Sequence, residues 1–453
     1  MKSIMIILIS AFLGITGHAQ TVSITMTQQN LALVTETRPV SLKTGSNTIV
    51  FTNIPFMLDP LSVNFSFNEK AVKYIEHYYA YDLENTHVML NKSIGKNIRV
   101  LHPDLGTIQG KLISAHSEML VIETIDGEVR TISDYAGLQF IIEKSTAYQG
   151  LVREPSIFCS LESNSSSESS VEMIYLTGGL NWTTEYTAII DETEKKLSLS
   201  TRAVLSNYSG KSFQDCDLLL LAGEISKQTG MKRGPSGSGV QQLDNIISMV
   251  AESDFSEDEN FEYHFYRLGR KITLLNQQQK ILPLYPVQKT EISKIYNYHY
   301  QKDPTGISVI IAIQNSTENG LGNPLPKGTV RIYKAHNEQL LILGEDNISH
   351  TPKDEKLELK IGKAFDIMAE RKIIDRKREG KNTEKIKITI DFRNRKNEDI
   401  EILVTEPITR RYDYRILSSN IPVFNKEAKQ VEFIVPVKAN QTNVLEYEIL
   451  YSW

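Results

Sequence analysis

The sequence predicts an all-β protein built from several domains. Short runs of alternating apolar and polar residues recur along it, and turn clusters rich in Gly, Asn, Asp and Pro separate them. That spacing suits β-sandwiches rather than strand–helix–strand units. At 453 residues, the usual domain size sets the domain number at about three. Fifty Lys and Arg against 55 Asp and Glu leave a net charge of −5, without the basic excess that nucleic-acid binding demands. The 2 cysteines exclude a disulfide-dense scaffold and any Cys-built zinc or iron–sulfur centre.

The elements follow in order. Residues 1–19 begin with the short basic Met1-Lys2-Ser3, run apolar over 4–15 and end on Gly17-His18-Ala19, the pattern of a secretory signal peptide cleaved before Gln20. The apolar run is short of the roughly 20 residues a spanning helix needs, and later apolar runs are soon broken by charge. The expectation is an exported protein, periplasmic or extracellular, with no transmembrane segment after signal removal. In such a compartment Cys159 and Cys216 are either bridged or two buried thiols, and spacing leaves both open.

The N-terminal β region, 20–91, carries strand candidates at 21–26, 31–37 and 47–51, with a turn cluster at 43–47. A further run at 61–67 puts Leu61, Val63, Phe65 and Phe67 on one face. Residues 92–143 place candidates at 97–101, 107–114, 119–124, 128–132 and 138–143 between tight turns, the pattern of a small SH3-like barrel inserted in this region. Serine-rich 160–170, within a connection at 144–170, reads as a flexible linker or long exposed loop.

A central β domain, 171–327, is expected to carry strands at 171–177, 183–191, 196–206, 217–222, 262–267, 271–275, 288–300 and 306–315. Its stretch 226–260 is polar and weakly ordered in composition, with Leu243, Ile246, Ile247 and Val250 at helical spacing. The C-terminal β-sandwich, 328–453, has candidates at 328–334, 340–347, 356–361, 365–375, 385–393, 399–406, 430–437 and 443–453. Leu445, Tyr447, Ile449, Tyr451 and Trp453 alternate as in the last strand of an outer-membrane barrel. Charge on strands such as 385–391 favours a final sandwich strand instead.

Several ordered segments resemble the bacterial secreted family called domain of unknown function 4139, related to mucoidy-inhibitor-like proteins. They are Leu31-Ala32-Leu33-Val34-Thr35-Glu36-Thr37-Arg38, Asn53-Ile54-Pro55 with Asp59-Pro60-Leu61-Ser62-Val63, Trp182-Thr183-Thr184-Glu185-Tyr186 and Leu219-Leu220-Leu221-Ala222-Gly223-Glu224. The segments 322–333 and 344–352 complete the series. The resemblance implies a β-rich envelope protein and carries over no catalytic residue.

Chemistry-bearing clusters are few. Glu345, Asp346, His350 and Asp354 lie close enough in sequence to hold a divalent cation, but their spacing fits no calcium loop or zinc motif. A polar turn between strands is the reading, and no cofactor is expected. Asp366 and Glu370 would share a strand face about 13 Å apart, beyond the separation of paired glycosidase carboxylates, and read as salt-bridge partners. Gly237-Ser238-Gly239 lacks the strand-to-helix context of a nucleophile elbow.

Tyr296, Tyr298 and Tyr300 alternate along one strand face, and Tyr78, Tyr79 and Tyr81 cluster earlier. Exposed, such rings offer flat amphipathic area to a glycan or an envelope protein; half-buried, they are good strand formers. The expected function is a non-enzymatic scaffold or binding module of the cell envelope. The alternative is a hydrolase of cell-surface glycans with paired carboxylates drawn from distant strands.

Overall fold

The computed structural model describes residues 21–67, 72–83, 85–116, 118–135, 137–142, 151–223, 257–260, 263–408 and 413–453. The expected signal-peptide segment, 1–19, and most of 226–260, including the expected helical spacing, lie outside these residues. Strand makes up 67% of the chain and helix 2%, so the all-β class holds. Among the described residues, no helix is long and apolar enough to cross a membrane.

The first sheet joins distant segments of the chain. Val22–Thr27 lies between Phe213–Ala222, to which it runs parallel, and Ala32–Leu42, to which it runs antiparallel. Ser167–Thr177 pairs the far side of Ala32–Leu42, and Asn64–Phe67 closes that edge. A second sheet of three strands has Ser156–Ser163 between Gly45–Phe51 and Val72–Ala80. Period-2 alternation turns Ile24, Met26, Val34, Ile157, Leu161 and Met173 into a single core. Cys159 and Cys216 lie in it as free, buried thiols; Cys216 donates to the Ile272 carbonyl at 3.0 Å.

The small domain is an insertion between two neighbouring strands, Val72–Ala80 and Ser156–Ser163. A short helix, Thr86–Asn91, is capped by Asn85, whose Oδ1 accepts from Val88 N at 3.0 Å. Five strands follow at Asn97–His102, Gly106–His116, Met119–Thr124, Val129–Ser133 and Gln139–Ile142, close to the expected spans. The last pairs the first, while Val129–Ser133 stays at the other edge, so this sheet does not close into a barrel. Its core of Leu90, Ile98, Val100, Leu112, Leu120 and Ile122 is its own. Asp82 pins the neck: its N donates to Val152 O and its Oδ2 accepts from Val152 N, both at 2.8 Å.

A five-stranded sheet bridges two cores. Leu180–Ile190 is central, with Lys196–Asn207 and Gln278–Glu291 on one side and Gly328–His336 and Gln339–Ile348 on the other. Leu180 and Trp182 pack in the first core, whereas Tyr186, Ala188 and Ile190 pack against Ile311, Ile313, Leu357 and Leu359. The nine-stranded C-terminal sheet includes Ser293–Tyr298, Gly306–Gln314, the 23-residue Lys356–Arg378 and the final Thr442–Ser452. It curls so that Phe433 and Tyr447, on strands well apart in the order, bring their rings within 5.2 Å.

Three local expectations differ from the structure. Residues 60–62 form a 3-10 turn started by Asp59, which leaves Leu61 97% exposed and confines the strand to Asn64–Phe67. The serine-rich segment is not a linker: it ends one strand at Ser163 and begins the next at Ser167. Small hydroxyls permit this, because Ser163 Oγ donates to Ser165 O and Ser166 Oγ accepts from Thr44 N. Position 327 is not a boundary between sheets either, since 293–314 contributes strands to the C-terminal sheet and 328–348 to the bridging one.

Candidate functional site

The three-stranded sheet has one face in the core and one outward. Across it, Val50, Phe158 and Tyr78 are directly opposite one another in register. The Phe158 and Tyr78 rings stack with centroids 4.9 Å apart and planes 2° apart. Tyr78, on the edge strand, is 52% exposed and Val50 45%. The next row on the same face is polar: Thr48, Ser160 and Glu76.

Where these strands meet their connections, the chain encloses a cavity of about 420 Å³. Asn53, Ile54 and Phe56 follow the first strand, Tyr81 follows the second, Glu154 and Pro155 precede the third, and Gly210 completes the lining. Asn53, Tyr81 and Pro155 of the lining each stand three positions along the chain from Val50, Tyr78 and Phe158, or about 10 Å at the rise of a strand. Its volume is in the range of small-molecule sites.

A buried ionic cluster fixes the cavity wall. Glu36 occupies an inward position on Ala32–Leu42 and is fully buried. Its carboxylate accepts from Lys211 Nζ at 2.7 and 2.9 Å, from Arg38 Nη2 at 3.0 Å and from the Tyr175 hydroxyl at 2.8 Å. Arg38 also donates to the carbonyls of Thr52 and Asn53 at 2.6 and 2.9 Å. On the other wall, Phe56 N donates to Ser209 O at 2.9 Å. Gly210 has φ +91°, and a Cβ there would fall 2.0 Å from the Phe56 ring.

Burial raises the Glu36 carboxyl, yet Lys211 and Arg38 outweigh it and hold the group below its ordinary range. The partners do not mirror each other: burial pulls Lys211 down to about 8 against the attraction of Glu36. The low Glu36 is the firmer direction, since two cations and a phenol serve one carboxylate. Both groups are charged at pH 7, so this is a built ion pair.

The sequence candidates fall elsewhere. Tyr296 and Tyr298 are 7% and 1% exposed and do not form a surface platform. Tyr298 meets Phe392 edge-on at 5.5 Å, Lys396 Nζ donates to the Tyr296 hydroxyl at 2.8 Å, and Arg371 covers the Tyr300 ring at 4.1 Å. The C-terminal sheet curls around this face, which is why good strand formers here became core. Glu345 pairs with Arg331 at 3.2 Å, and Asp346 accepts from Asn347 N and Lys360 N at 2.9 and 2.7 Å. His350 Nδ1 accepts from Lys327 N at 3.3 Å, and Asp354 turns the chain at φ +65°. Among the described residues, no three His, Cys, Asp or Glu side chains come together as a metal set. Glu370 pairs with Lys372 and Arg393 at 2.8 and 3.4 Å.

A second cavity, of about 310 Å³, lies between Gln28, Thr184, Glu185, Lys327 and Asn347. Each cavity has a single carboxylate among its lining residues, Glu154 in one and Glu185 in the other. Glu185 is paired with Arg331. Of the earlier tyrosine cluster, Tyr78 stands in the outward row and Tyr81 lines the larger cavity. Glu36 and Lys211 were not singled out, although Ala32, Val34 and Glu36 alternate on one face and so put a carboxylate where the core was forming.

The family described as "Domain of unknown function (DUF4139)" matches residues 171–453. No curated protein matches the chain. A crystal structure described as that of a candidate protease from Parabacteroides distasonis aligns with 96% of this chain and 98% of its own. It does so at 8% identity and a TM-score of 0.11, which carries no argument about fold or activity.

Proposed function

We propose that this chain, which belongs to the DUF4139 family, is a non-enzymatic binding module of the bacterial cell envelope. The observation that carries the reading is the outward Val50–Phe158–Tyr78 row beside a cavity whose wall is held by buried charge. Aromatic area left in solvent next to fixed polar groups is what a recognition surface needs. A glycosidase-like reaction needs two facing carboxylates, whereas among the described residues Glu154 is the single one at this cavity. Export follows from the 1–19 segment and belongs to the same proposal.

The test is site-specific photocrosslinking in cells. A benzophenone side chain is introduced at Tyr78, at Glu154 or at exposed Tyr208, and the location of the protein is read by fractionation. Specific capture from 78 and 154 but not 208, in the envelope fraction, is the expected result. Equal labelling at all three positions, or a cytoplasmic protein, overturns the proposal.

A further inference from the structure

We infer that the end of the three-stranded sheet takes an uncharged oligosaccharide, with one sugar ring on Tyr78 and the next units entering the cavity at Glu154. This rests on the binding-module reading and names its ligand class. One face of the Tyr78 ring is taken by Phe158. The other looks off the sheet edge, since among the described residues Val72–Ala80 has no strand beyond it. A pyranose ring has a face of C–H groups, and these pack against the electron-rich face of an aromatic ring.

The polar partners suit hydroxyl groups. Glu154 accepts hydrogen bonds, and the Asn53 amide and the Tyr81 phenol are of the types that both donate and accept. Charge narrows the class further. Among the described residues no Lys or Arg lines the cavity, and the row beside the aromatic one carries Glu76. A phosphate, sulfate or uronic acid would meet the carboxylates of Glu154 and Glu76 directly, while the cations behind the wall, Arg38 and Lys211, are engaged by Glu36. The separation of about 10 Å between ring and cavity exceeds one sugar, so the ligand is a chain.

A protein partner fits less well. Standard interfaces cover about 800 Å² per partner around an apolar centre. Here the row directly beside the apolar one is polar, Thr48, Ser160 and Glu76, and so interrupts the apolar surface.

The experiment is saturation-transfer NMR on the full chain. The probes are neutral tetraoses of glucose, mannose, galactose and N-acetylglucosamine, with a galacturonic acid tetraose as the charged comparison. At least one neutral tetraose should receive transfer on its ring C–H protons, and the galacturonic one none. Tyr78→Ala should weaken binding about tenfold, Tyr78→Trp should restore it, and Glu154→Gln should weaken it, each with an unchanged melting temperature. No transfer to any neutral tetraose, transfer unaffected by Tyr78→Ala, or equal transfer to the acidic sugar overturns the inference. If the sugars fail while crosslinking from 78 captures one defined protein, the ligand class is wrong and the binding-module reading stands. If both fail, both are wrong.

Discussion

Replacing Lys211 by Met tests whether the buried ion pair holds the first core together. Met keeps most of the length of the side chain, so little cavity opens, and what is lost is charge. Lys211 Nζ supplies bonds at 2.7 Å to Glu36 Oε2 and 2.9 Å to Oε1, whereas Arg38 and Tyr175 both bind Oε1. The substitution therefore strips Oε2 and leaves a carboxylate that is 0% exposed with one cation instead of two. Breaking a buried pair costs about 3–5 kcal/mol, and because Arg38 remains, the low end, about 3 kcal/mol, is expected. Urea unfolding followed by the fluorescence of Trp182, which lies in the same core, measures it. In the native chain Glu36 lies below its unfolded value, so its stabilisation is present above pH 4.5 and fades as pH falls through the lower, folded value. Without Lys211 the group titrates higher, and the gap between variant and native chain should narrow in acid. A cycle with Glu36→Gln should give a coupling of about 2 kcal/mol or more. A loss under about 1 kcal/mol at pH 7, or no coupling, would refute the idea that the pair organises this core.

Other expectations follow from single contacts. Gly210→Ala combines a left-handed backbone with a Cβ 2.0 Å from the Phe56 ring, so about 1–3 kcal/mol should be lost in thermal unfolding. Arg371→Met leaves Glu406 buried with its 2.9 Å partner gone, and about 3–5 kcal/mol should be lost at pH 7. Burial already raises Glu406; the folded state then holds its proton over a window above pH 4.5, stability falls as pH climbs through it, and removing Arg371 should steepen that fall. Glu194, paired with Lys294 of the C-terminal sheet and Lys334 of the bridging sheet, is held at about 2 by those lysines against the upward push of burial. Its contribution is present above pH 4.5 and lost between pH 4.5 and about 2; discounted for its partial exposure it amounts to about 1 kcal/mol, readable as a flatter acid limb in Glu194→Gln.

Much of the fold was legible because period-2 alternation is a local property. The strands of the small domain and the run at 430–437 lie within a residue or two of their expected spans for that reason. What alternation does not encode is which face the rest of the chain will cover. Tyr296 and Tyr298 look the same in sequence as Tyr78, but the nine-stranded sheet curls over the first two, whereas Tyr78 stands on an edge strand with 52% of its surface open. The serine-rich segment misled for a related reason. Its composition is that of a linker, yet three strands of two sheets supply partners for its backbone, and pairing of that kind overrides propensity. The buried Lys211–Glu36 pair depends on residues 175 positions apart; only Glu36, a carboxylate in line with Ala32 and Val34, left a local trace.

The limits of the family match do not coincide with a folding boundary. The match begins at residue 171, inside the strand Ser167–Thr177, whose neighbours Ala32–Leu42 and Asn64–Phe67 lie before it. Phe213–Ala222, well within the match, has Val22–Thr27 as its parallel partner. A fragment of 171–453 would thus expose strand edges on both sides of the first core, with Leu218 and Leu220 stripped of their cover, and it would leave Lys211 buried without Glu36. Open edges and an unpaired buried charge each destabilise, and the edges also invite aggregation. That fragment should be insoluble when expressed alone and should recover when 20–170 is supplied as a separate chain, read as soluble yield. A soluble, cooperatively melting 171–453 would show that the N-terminal strands are dispensable to the core. The candidate site would then belong to an appendage, and the coupling argued between Glu36, Arg38 and the cavity wall would have no bearing on the matched region.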